Sequence, residues 1–241
     1  MQVYTLITGA TSGIGLATAR ELSKSKRLIL VGRNRDKLEA IGQELGDSHL
    51  LFCSDLTEVE LISGSLSSFL KSGDCRVDKL IHCAGMDQTL PAKSLGASGI
   101  DALMRVNFYS VVEIVKVLIK RSVNQSALKN VLFISSISAV RGFKAKAAYS
   151  ASKAALDAYM RVLAKELAPS VTVNSILPGA IPTPMSQSGF DNPELVKHFE
   201  EVYPLGIGSV KQLVKVIQFY HDNDDLWVTG QQIVVDGGMT G

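Results

Sequence analysis

Tyr149 and Lys153 lie four residues apart in the stretch AYSASKAAL, residues 148–156. In a helix, positions i and i+4 lie on the same face, one turn apart. A phenol beside an ammonium group can act as an acid or a base, because the positive charge lowers a phenol pKa that is otherwise about 10. The alanines and serines around the pair are equally typical of a tightly packed helix, so the rest of the chain must decide between chemistry and packing.

Short apolar runs alternate with helical stretches along the chain. The apolar runs, which predict strands, cover residues 3–8, 27–32, 49–54, 79–84, 130–135, 171–177 and 231–236. The helical stretches cover 14–25, 35–45, about 59–70, 98–124 and 149–167. This alternation predicts a doubly wound α/β fold with a seven-stranded parallel sheet and helices on both faces. We find no linker or repeat, so we expect a single domain over residues 1–241.

One segment, residues 178–209, breaks the alternation and contains five of the seven prolines. Long irregular segments in compact domains are commonly binding loops or lids. We therefore expect residues 184–209 to form a lid over a substrate.

The stretch TGATSGIG, residues 8–15, follows the first predicted strand and opens the first predicted helix. Glycines at these positions allow a sharp turn and a close approach of the backbone to a pyrophosphate, which the helix N-terminus would bind. Glycine loops also form ordinary turns, but this position in an α/β pattern favours a dinucleotide site. The residues that we expect to contact the cofactor here are Gly9, Thr11, Ser12, Gly13, Ile14 and Gly15.

The end of the second predicted strand favours one cofactor over another. NAD-binding folds usually place a carboxylate there to bind the ribose 2′-hydroxyl, whereas this chain has Arg33, Asn34 and Arg35. Because a guanidinium group suits a 2′-phosphate, we predict NADP(H) rather than NAD(H), with Arg33 as the main contact and Asn34 beside it. Asp55 and Leu56 are predicted near the adenine, although Asp55 could equally cap the next helix.

Nine short motifs follow one another in a fixed order over nearly the whole chain. They are TGATSGIG (8–15), VGRN (31–34), SDL (54–56), HCAG (82–85), VNF (106–108), SS (135–136), YSASK (149–153), PGAIPT (178–183) and VDGG (235–238). In this order and at these spacings they resemble the short-chain dehydrogenase/reductase family, and its 3-oxoacyl-(acyl-carrier-protein) reductase type in particular. The resemblance implies a Rossmann-type fold and a hydride transfer between NADP(H) and a ketone or secondary alcohol.

The resemblance also implies a catalytic tetrad, formed by Asn107, Ser136, Tyr149 and Lys153. Tyr149 would be the acid/base, and Lys153 would lower its pKa and bind the nicotinamide ribose. Ser136 would donate a hydrogen bond to the substrate oxygen, with Ser135 and Ser138 as alternatives, and Asn107 would anchor a water. Further cofactor contacts are implied for Cys83, Ala84, Gly85, Pro178, Gly179, Ile181 and Thr183. His82 replaces an asparagine that is common in the family, and we interpret it as a tolerated change at a structural position.

Composition excludes several other classes of protein. A net charge of +2 does not favour nucleic acid, and the chain has neither a membrane-length apolar run nor a signal-peptide pattern. Three cysteines (Cys53, Cys75, Cys83) fit no metal-binding spacing, so we expect reduced thiols, no metal and a cytoplasmic protein. The family resemblance implies a homotetramer or a homodimer, with the helices at 100–124 and 149–167 in one interface and the C-terminal strand in another.

The substrate stays open at this stage between a 3-oxoacyl thioester, a sugar or polyol ketone and a small hydrophobic ketone. An acyl carrier protein is a candidate partner, and Lys120, Arg121 and Lys129 are either its basic contact patch or a solvated face. The alternative to an enzyme is a non-catalytic NADP-binding sensor. Such sensors typically lose the Tyr-x3-Lys pair, and this chain has it.

Overall fold

The computed structural model describes residues 2–241 and contains a sheet of seven parallel strands. The strands are β1 (Gln2–Thr8), β2 (Leu28–Gly32), β3 (Leu50–Cys53), β4 (Cys75–His82), β5 (Asn130–Ile134), β6 (Thr172–Pro178) and β7 (Gln232–Val235). Their order is β3-β2-β1-β4-β5-β6-β7, which confirms the predicted doubly wound sheet. The strand order reverses between β1 and β4, the point at which open α/β sheets bind ligands.

Helices cover both faces of the sheet. They are α1 (Gly13–Leu22), α2 (Arg35–Leu45), α3 (Val59–Ser72), α4 (Ala97–Met104), α5 (Ser110–Leu118), α6 (Arg121–Asn124), α7 (Ala147–Glu166), α8 (Gln187–Phe190), α9 (Pro193–Val202) and α10 (Val210–Asp222). One hydrophobic core joins Leu22 of α1 to Leu213 of α10, and a second core joins Leu66 of α3 to Leu156 of α7. Because apolar side chains are buried on both sides, the strands are continuous apolar runs rather than alternating ones.

Strand β4 begins at Cys75, earlier than the predicted start at Lys79. Asp78 has no partner in β1, where the register shifts, and β5 pairs with β4 only from Lys79 onwards. Asn124 takes the place of the missing neighbour. Its side-chain oxygen accepts from the N–H of Val77 and its amide nitrogen donates to the Val77 carbonyl, both at 2.8 Å. A side chain from a distant helix therefore extends this strand.

The predicted helix over residues 98–124 is divided into three pieces. α4 continues into a π-helical turn over Arg105–Tyr109, and α5 follows that turn directly. The helix α5 then ends at Leu118, and the short helix α6 begins at Arg121. Residues 105–120 contain neither glycine nor proline, so no helix-breaking residue marks these divisions. π-Helical turns are frequent at functional sites, and this one contains the fully buried Asn107.

The segment that we predicted as a lid, residues 184–209, contains the helices α8 and α9. Asn192 caps α9, because its side-chain oxygen accepts from backbone N–H groups of the first turn. None of the described residues of α8 and α9 is fully buried. Aromatic rings hold the segment together, with centroids 5.4 Å apart for Phe190 and Phe199 and 6.1 Å apart for Phe199 and Tyr203. The segment is tied to the loop just after β6 by the Tyr203 hydroxyl, which accepts from the N–H of Ala180 at 2.7 Å.

Candidate active site

The glycine loop between β1 and α1 depends on glycine for steric reasons. Gly9 and Gly13 have φ values of +66° and +51°, a region that residues with a Cβ rarely adopt. A Cβ on Gly15 would lie 2.3 Å from the carbonyl oxygen of Gly9, which no real contact allows. Ser12 makes no side-chain capping bond, so the first N–H groups of α1 have no side-chain acceptor there. An exposed helix N-terminus of this kind is suited to bind an anion.

A cleft of about 240 Å³ runs past this loop along the carboxyl ends of β1, β2 and β4. Most of the predicted cofactor contacts lie on its walls, namely Gly9, Thr11, Ser12, Gly13, Ile14, Gly15, Arg33, Asp55, Leu56, Cys83, Ala84, Gly85 and Thr183. The start of the predicted lid borders the cleft, since Pro184 and Met185 line it and a Cβ on Gly13 would lie 3.8 Å from the Pro184 side chain. The structure therefore brings residues of five separate motifs together around one cleft.

Some predicted cofactor contacts lie away from the walls of this cleft. The side chain of Asn34 caps α2, where its oxygen accepts a backbone N–H at 2.8 Å. Pro178 is buried at the end of β6, and Gly179 and Ile181 line a second cavity of about 150 Å³ beside Tyr203. A Cβ on Gly179 would lie 2.7 Å from the Tyr203 ring. Close packing against that ring is therefore enough to require glycine at this position.

Arg33 and Asp55 both line the cleft. Asp55 accepts from both the N–H and the hydroxyl of Thr57 at 2.9 Å, and these hydrogen bonds, with help from the Arg33 charge, hold its pKa below the ordinary value. Glu58, rather than Asp55, occupies the N-cap position of α3. Arg35 points along α2 and forms an i,i+4 ion pair with Glu39 at 3.8 Å. Of the two arginines that follow β2, Arg33 is therefore the one that lines the cleft.

Asn107 fixes the backbone that follows β4. Its side-chain oxygen accepts from the N–H of Met86 at 2.7 Å, and its amide nitrogen donates to the Met86 carbonyl at 2.9 Å. The same nitrogen donates to the Ser152 hydroxyl at 2.8 Å, which in turn donates to the Tyr149 carbonyl. Asn107 therefore links the π-helical turn, the end of β4 and α7 by side-chain hydrogen bonds.

Tyr149 and Lys153 lie on one face of α7, as their spacing predicts. The Lys153 ammonium is 5.9 Å from the centroid of the Tyr149 ring and donates to the carbonyl of Ile134 at 2.9 Å. A Cβ on Gly85 would lie 3.4 Å from this ammonium and 3.3 Å from the side-chain oxygen of Asn107. Three members of the predicted tetrad are thus packed around the carboxyl ends of β4 and β5.

Burial dominates the acid–base behaviour of this pair. It lowers the pKa of Lys153 to about 8, although the Asp157 carboxylate acts in the opposite direction. It raises the pKa of Tyr149 to about 12 and outweighs a hydrogen-bond contribution from Ser136. The shift of the Tyr149 pKa is thus opposite to the one that the neighbouring ammonium predicts. A phenol with this pKa keeps its proton at neutral pH.

Ser136 is distinguished from its neighbouring serines by what each one contacts. Its side-chain oxygen accepts from the N–H of Ser138 at 3.1 Å, which leaves its hydroxyl proton available for another acceptor. Ser136 also acts on the pKa of Tyr149, whereas the buried Ser135 acts on the pKa of Asp157. Ser136 is therefore the serine that lies on the side of the phenol.

His82 is fully buried at the end of β4 and connects it to β1. Its Nδ1 is 2.9 Å from the hydroxyl of Thr8, which accepts from the N–H of Ala84 at 3.0 Å. Burial lowers the pKa of His82 to about 3, so the imidazole is neutral at physiological pH. These contacts support the interpretation of His82 as a structural residue beneath the glycine loop.

Two kinds of site are missing from the part of the chain that the structure describes, residues 2–241. No helix in this range combines the length and the apolar character that crossing a bilayer requires. In the same range, no three histidine, cysteine or acidic side chains gather as a metal site would need. Cys53, Cys75 and Cys83 are free thiols, and burial raises the pKa of the Cys83 thiol in the cleft to about 12.

Known proteins resemble this chain over nearly its whole length. A family model described as enoyl-(acyl carrier protein) reductase matches residues 9–240. A glucose 1-dehydrogenase of Gluconobacter oxydans is 30% identical over 98% of this chain and 91% of its own length. A 3-oxoacyl-(acyl-carrier-protein) reductase of Buchnera aphidicola is 30% identical over 97% of this chain and 96% of its own length.

Among solved structures, a 4-hydroxyisoleucine dehydrogenase mutant complexed with NADH and succinate superposes with a TM-score of 0.91 at 27% identity, covering 98% of each chain. These matches define the class of protein as an oxidoreductase with a doubly wound sheet. The chain belongs to the short-chain dehydrogenase/reductase family.

Replacing His82 by asparagine should make the folded protein less sensitive to acid. The His82 pKa is about 3 in the folded state and 6.5 as its unperturbed value, so only the unfolded chain takes up this proton between those pH values. The contribution of the neutral His82 to the free energy of unfolding is therefore fully present above the unfolded-state pKa. It is lost as the pH falls towards the folded-state pKa, and at about pH 5 the loss is about 2 kcal/mol. Denaturant unfolding should show that His82→Asn loses about 2 kcal/mol less than wild type between about pH 7 and about pH 5.

His198 is the matched control, because it lies exposed on α9. We expect His198→Asn to follow the wild-type pH dependence. An equal loss of stability in wild type and His82→Asn would show that His82 does not carry this proton linkage.

Proposed function

We propose that this protein is an NADP(H)-dependent oxidoreductase that interconverts a ketone and a secondary alcohol. The observation that carries the proposal is that Gly85 lines the same cleft as the glycine loop and has the proposed catalytic groups behind it: a Cβ on Gly85 would lie 3.4 Å from the Lys153 ammonium, which is 5.9 Å from the centroid of the Tyr149 ring. Two relatives are named as a glucose 1-dehydrogenase and a 3-oxoacyl-(acyl-carrier-protein) reductase, which supports this reaction class. A cofactor-binding sensor would not need this buried constellation of titratable groups.

The glycine loop fits a dinucleotide. Its left-handed glycines leave open a cradle that Cβ atoms would close, and the first N–H groups of α1 would hold a pyrophosphate. A solved relative is described as complexed with NADH, which supports a nicotinamide cofactor. When bound, the nicotinamide ring gives or accepts the hydride. Arg33 would hold the 2′-phosphate of NADP(H), and no carboxylate of β2 lies beside it.

The protein side chains would carry the proton and stabilise charge. As the ketone is reduced, Tyr149 would donate its phenolic proton to the carbonyl oxygen, and it would take the proton back in the reverse direction. Ser136 would donate a hydrogen bond to the same oxygen and stabilise its developing negative charge. The ammonium of Lys153, held by the Ile134 carbonyl, would favour the phenolate that remains. Asn107 would keep these elements in register and anchor a water that returns the proton.

The substrate would enter beneath residues 184–209, which we propose as the lid. Pro184 and Met185 at its start line the same cleft as the glycine loop. The family model and one relative are named for acyl-carrier-protein substrates, which supports a 3-oxoacyl thioester as one candidate. Another relative is named for glucose, which supports a sugar or polyol.

We also propose that the chain forms a homotetramer, or a homodimer as a smaller assembly. Apolar side chains are exposed at both of the expected interfaces: Val162 on α7 is 53% exposed and Val234 on β7 is 44% exposed. Trp227, just before β7, is fully exposed. Burial of such side chains against a second copy would stabilise the assembly.

Replacing Arg33 by alanine should remove most of the preference for NADPH over NADH. We expect wild type to bind NADPH at least about tenfold more tightly, because the guanidinium group forms charge-assisted hydrogen bonds with the 2′-phosphate. Fluorescence titration of both dinucleotides measures the preference. Arg35→Ala removes the same charge two positions away and should keep it, since Arg35 pairs with Glu39. Equal affinities in wild type would refute the assignment of NADP(H).

Replacing Tyr149 by phenylalanine should lower kcat at least about a hundredfold and leave the Kd for NADPH nearly unchanged, because only the proton donor is lost. A turnover assay that follows NADPH across ketones, sugars and acyl thioesters measures the first quantity. Tyr159→Phe, on the same helix, is the matched control and should keep the wild-type rate. A Tyr149→Phe enzyme with a rate near that of wild type would exclude this mechanism.

Light scattering at micromolar concentration should give the mass of a tetramer or a dimer. Val162→Glu on α7 and Trp227→Glu before β7 should each weaken one interface, because a charge would be buried there. A wild-type monomer at this concentration would contradict the proposed assembly.

A further inference from the structure

A partly buried ion pair lies beside Tyr149, and the proposed reaction does not use it. The Lys146 ammonium donates to a carboxylate oxygen, Oδ2, of Asp87, and the two side chains are 23% and 21% exposed. Lys146 is the N-cap residue of α7, and its nitrogen is 5.8 Å from the centroid of the Tyr149 ring. The Lys153 nitrogen lies 5.9 Å from the same centroid. Two ammonium groups of α7 therefore lie near the Tyr149 ring, and that of Lys146 is paired with the carboxylate of Asp87.

Both halves of this ion pair are held in place by the surrounding backbone. Asp87 follows Met86, whose N–H and carbonyl are both bonded by Asn107. Further along the same segment, the N–H of Leu90 donates to the carbonyl of Ala145, the residue before Lys146, at 2.7 Å. The loop after β4 and the loop before α7 are thus joined on either side of the pair. The backbone on both sides of the pair is therefore fixed by hydrogen bonds.

The Asp87 carboxylate has unused hydrogen-bonding capacity. Its second oxygen, Oδ1, is shielded from solvent and has no donor among residues 2–241. A buried carboxylate oxygen without a donor is unfavourable. Burial dominates the pKa of both Tyr149 and Lys153, and the Asp87 charge adds an upward shift to each. The carboxylate therefore lies within electrostatic reach of both groups that would act on the substrate.

We propose that Asp87 and Lys146 bind a hydroxyl group on the carbon next to the reacting carbonyl, so that the preferred substrate is a hydroxylated ketone or its polyol. A hydroxyl group both donates and accepts hydrogen bonds, so it can donate to Asp87 and accept from Lys146 at once. The inference rests on the proposed function, because it takes Tyr149 as the group that meets the carbonyl.

Other substrates would suit this ion pair less well. An aliphatic ketone or acyl chain would exclude water from the pair and give neither charge a partner. A carboxylate next to the carbonyl would be attracted by Lys146 but repelled by Asp87, and an ammonium would meet the opposite conflict. A neutral group with both a donor and an acceptor satisfies the two charges together. The ion pair therefore selects for hydroxyl groups over hydrocarbon and over charge.

Two ketones of equal size provide the test. Ethyl hydroxymethyl ketone and diethyl ketone differ only in a hydroxyl that replaces a methyl group. With NADPH, we expect wild type to show a ratio of kcat/KM values of at least about tenfold in favour of the hydroxyketone. Asp87→Asn and Lys146→Met should each lower this ratio by about tenfold. Because the hydroxyketone is intrinsically more reactive, the change in the ratio between wild type and variants is the decisive quantity.

Lys144→Met is the matched control, because Lys144 is an exposed lysine of the same loop. It should keep the wild-type ratio. The proposal is overturned if neither Asp87→Asn nor Lys146→Met changes the ratio. It is also overturned if these variants slow both ketones equally, since that result would indicate a purely structural ion pair.

Binding without turnover separates this inference from the proposed reaction. In a Tyr149→Phe background with NADPH, ligand-observed NMR titration should show about tenfold tighter binding of the hydroxyketone, lost on adding Asp87→Asn. If wild type reduces neither ketone but this preference is present, the proposed reaction is wrong and the hydroxyl site stands. If wild type reduces both ketones and neither the ratio nor the binding depends on Asp87, the hydroxyl site is wrong and the reaction stands.

Discussion

The close approach of two backbone segments at the switch point of the sheet underlies the whole site. A Cβ on Gly9 would lie 2.9 Å from the backbone nitrogen of Ala84, so the glycine loop touches the segment after β4 directly. The hydroxyl of Thr8 accepts from that same N–H and is bonded to His82. Residues 82–87 then continue past the buried Asn107 and Lys153 of the predicted tetrad to the ion pair at Asp87. One short segment therefore connects the glycine loop, the proposed catalytic groups and the ion pair that we propose as a hydroxyl-binding site.

Local patterns in the sequence predict much of this arrangement. The seven strands follow from continuous apolar runs, and the glycine loop follows from backbone conformations that only glycine adopts easily. The order of the motifs also identifies the family. The early start of β4 cannot be predicted from local patterns, because the side chain of Asn124, which lies in a distant helix, supplies the hydrogen bonds of a neighbouring strand there. The division of the long helix around Asn107 is equally hidden, since no glycine or proline marks it.

Features that depend on how deeply a side chain is buried could not be predicted from the spacing of residues in the sequence. The spacing of Tyr149 and Lys153 suggests a lowered phenol pKa, but burial determines the actual direction. The choice between Ser135 and Ser136 depends on which titratable group each hydroxyl reaches, Asp157 for Ser135 and Tyr149 for Ser136. The partnership of Asp87 with Lys146 joins two loops that are remote in sequence, and neither residue belongs to a motif. Charge pairs of this kind become visible only when the topology has brought the loops together.

The π-helical turn at Arg105–Tyr109 has a consequence for how this chain tolerates insertions and deletions. Each residue of an α-helix advances the side-chain direction by about 100°, so a wide turn shifts the angular phase of everything that follows it. This phase shift lets α4 and α5 keep their own buried faces while Asn107 points at the end of β4. Removal of a single residue here would restore an ordinary helix and rotate either Asn107 or the apolar face of α5 away from its partners. Length in this turn is therefore as strictly determined as the identity of the asparagine within it.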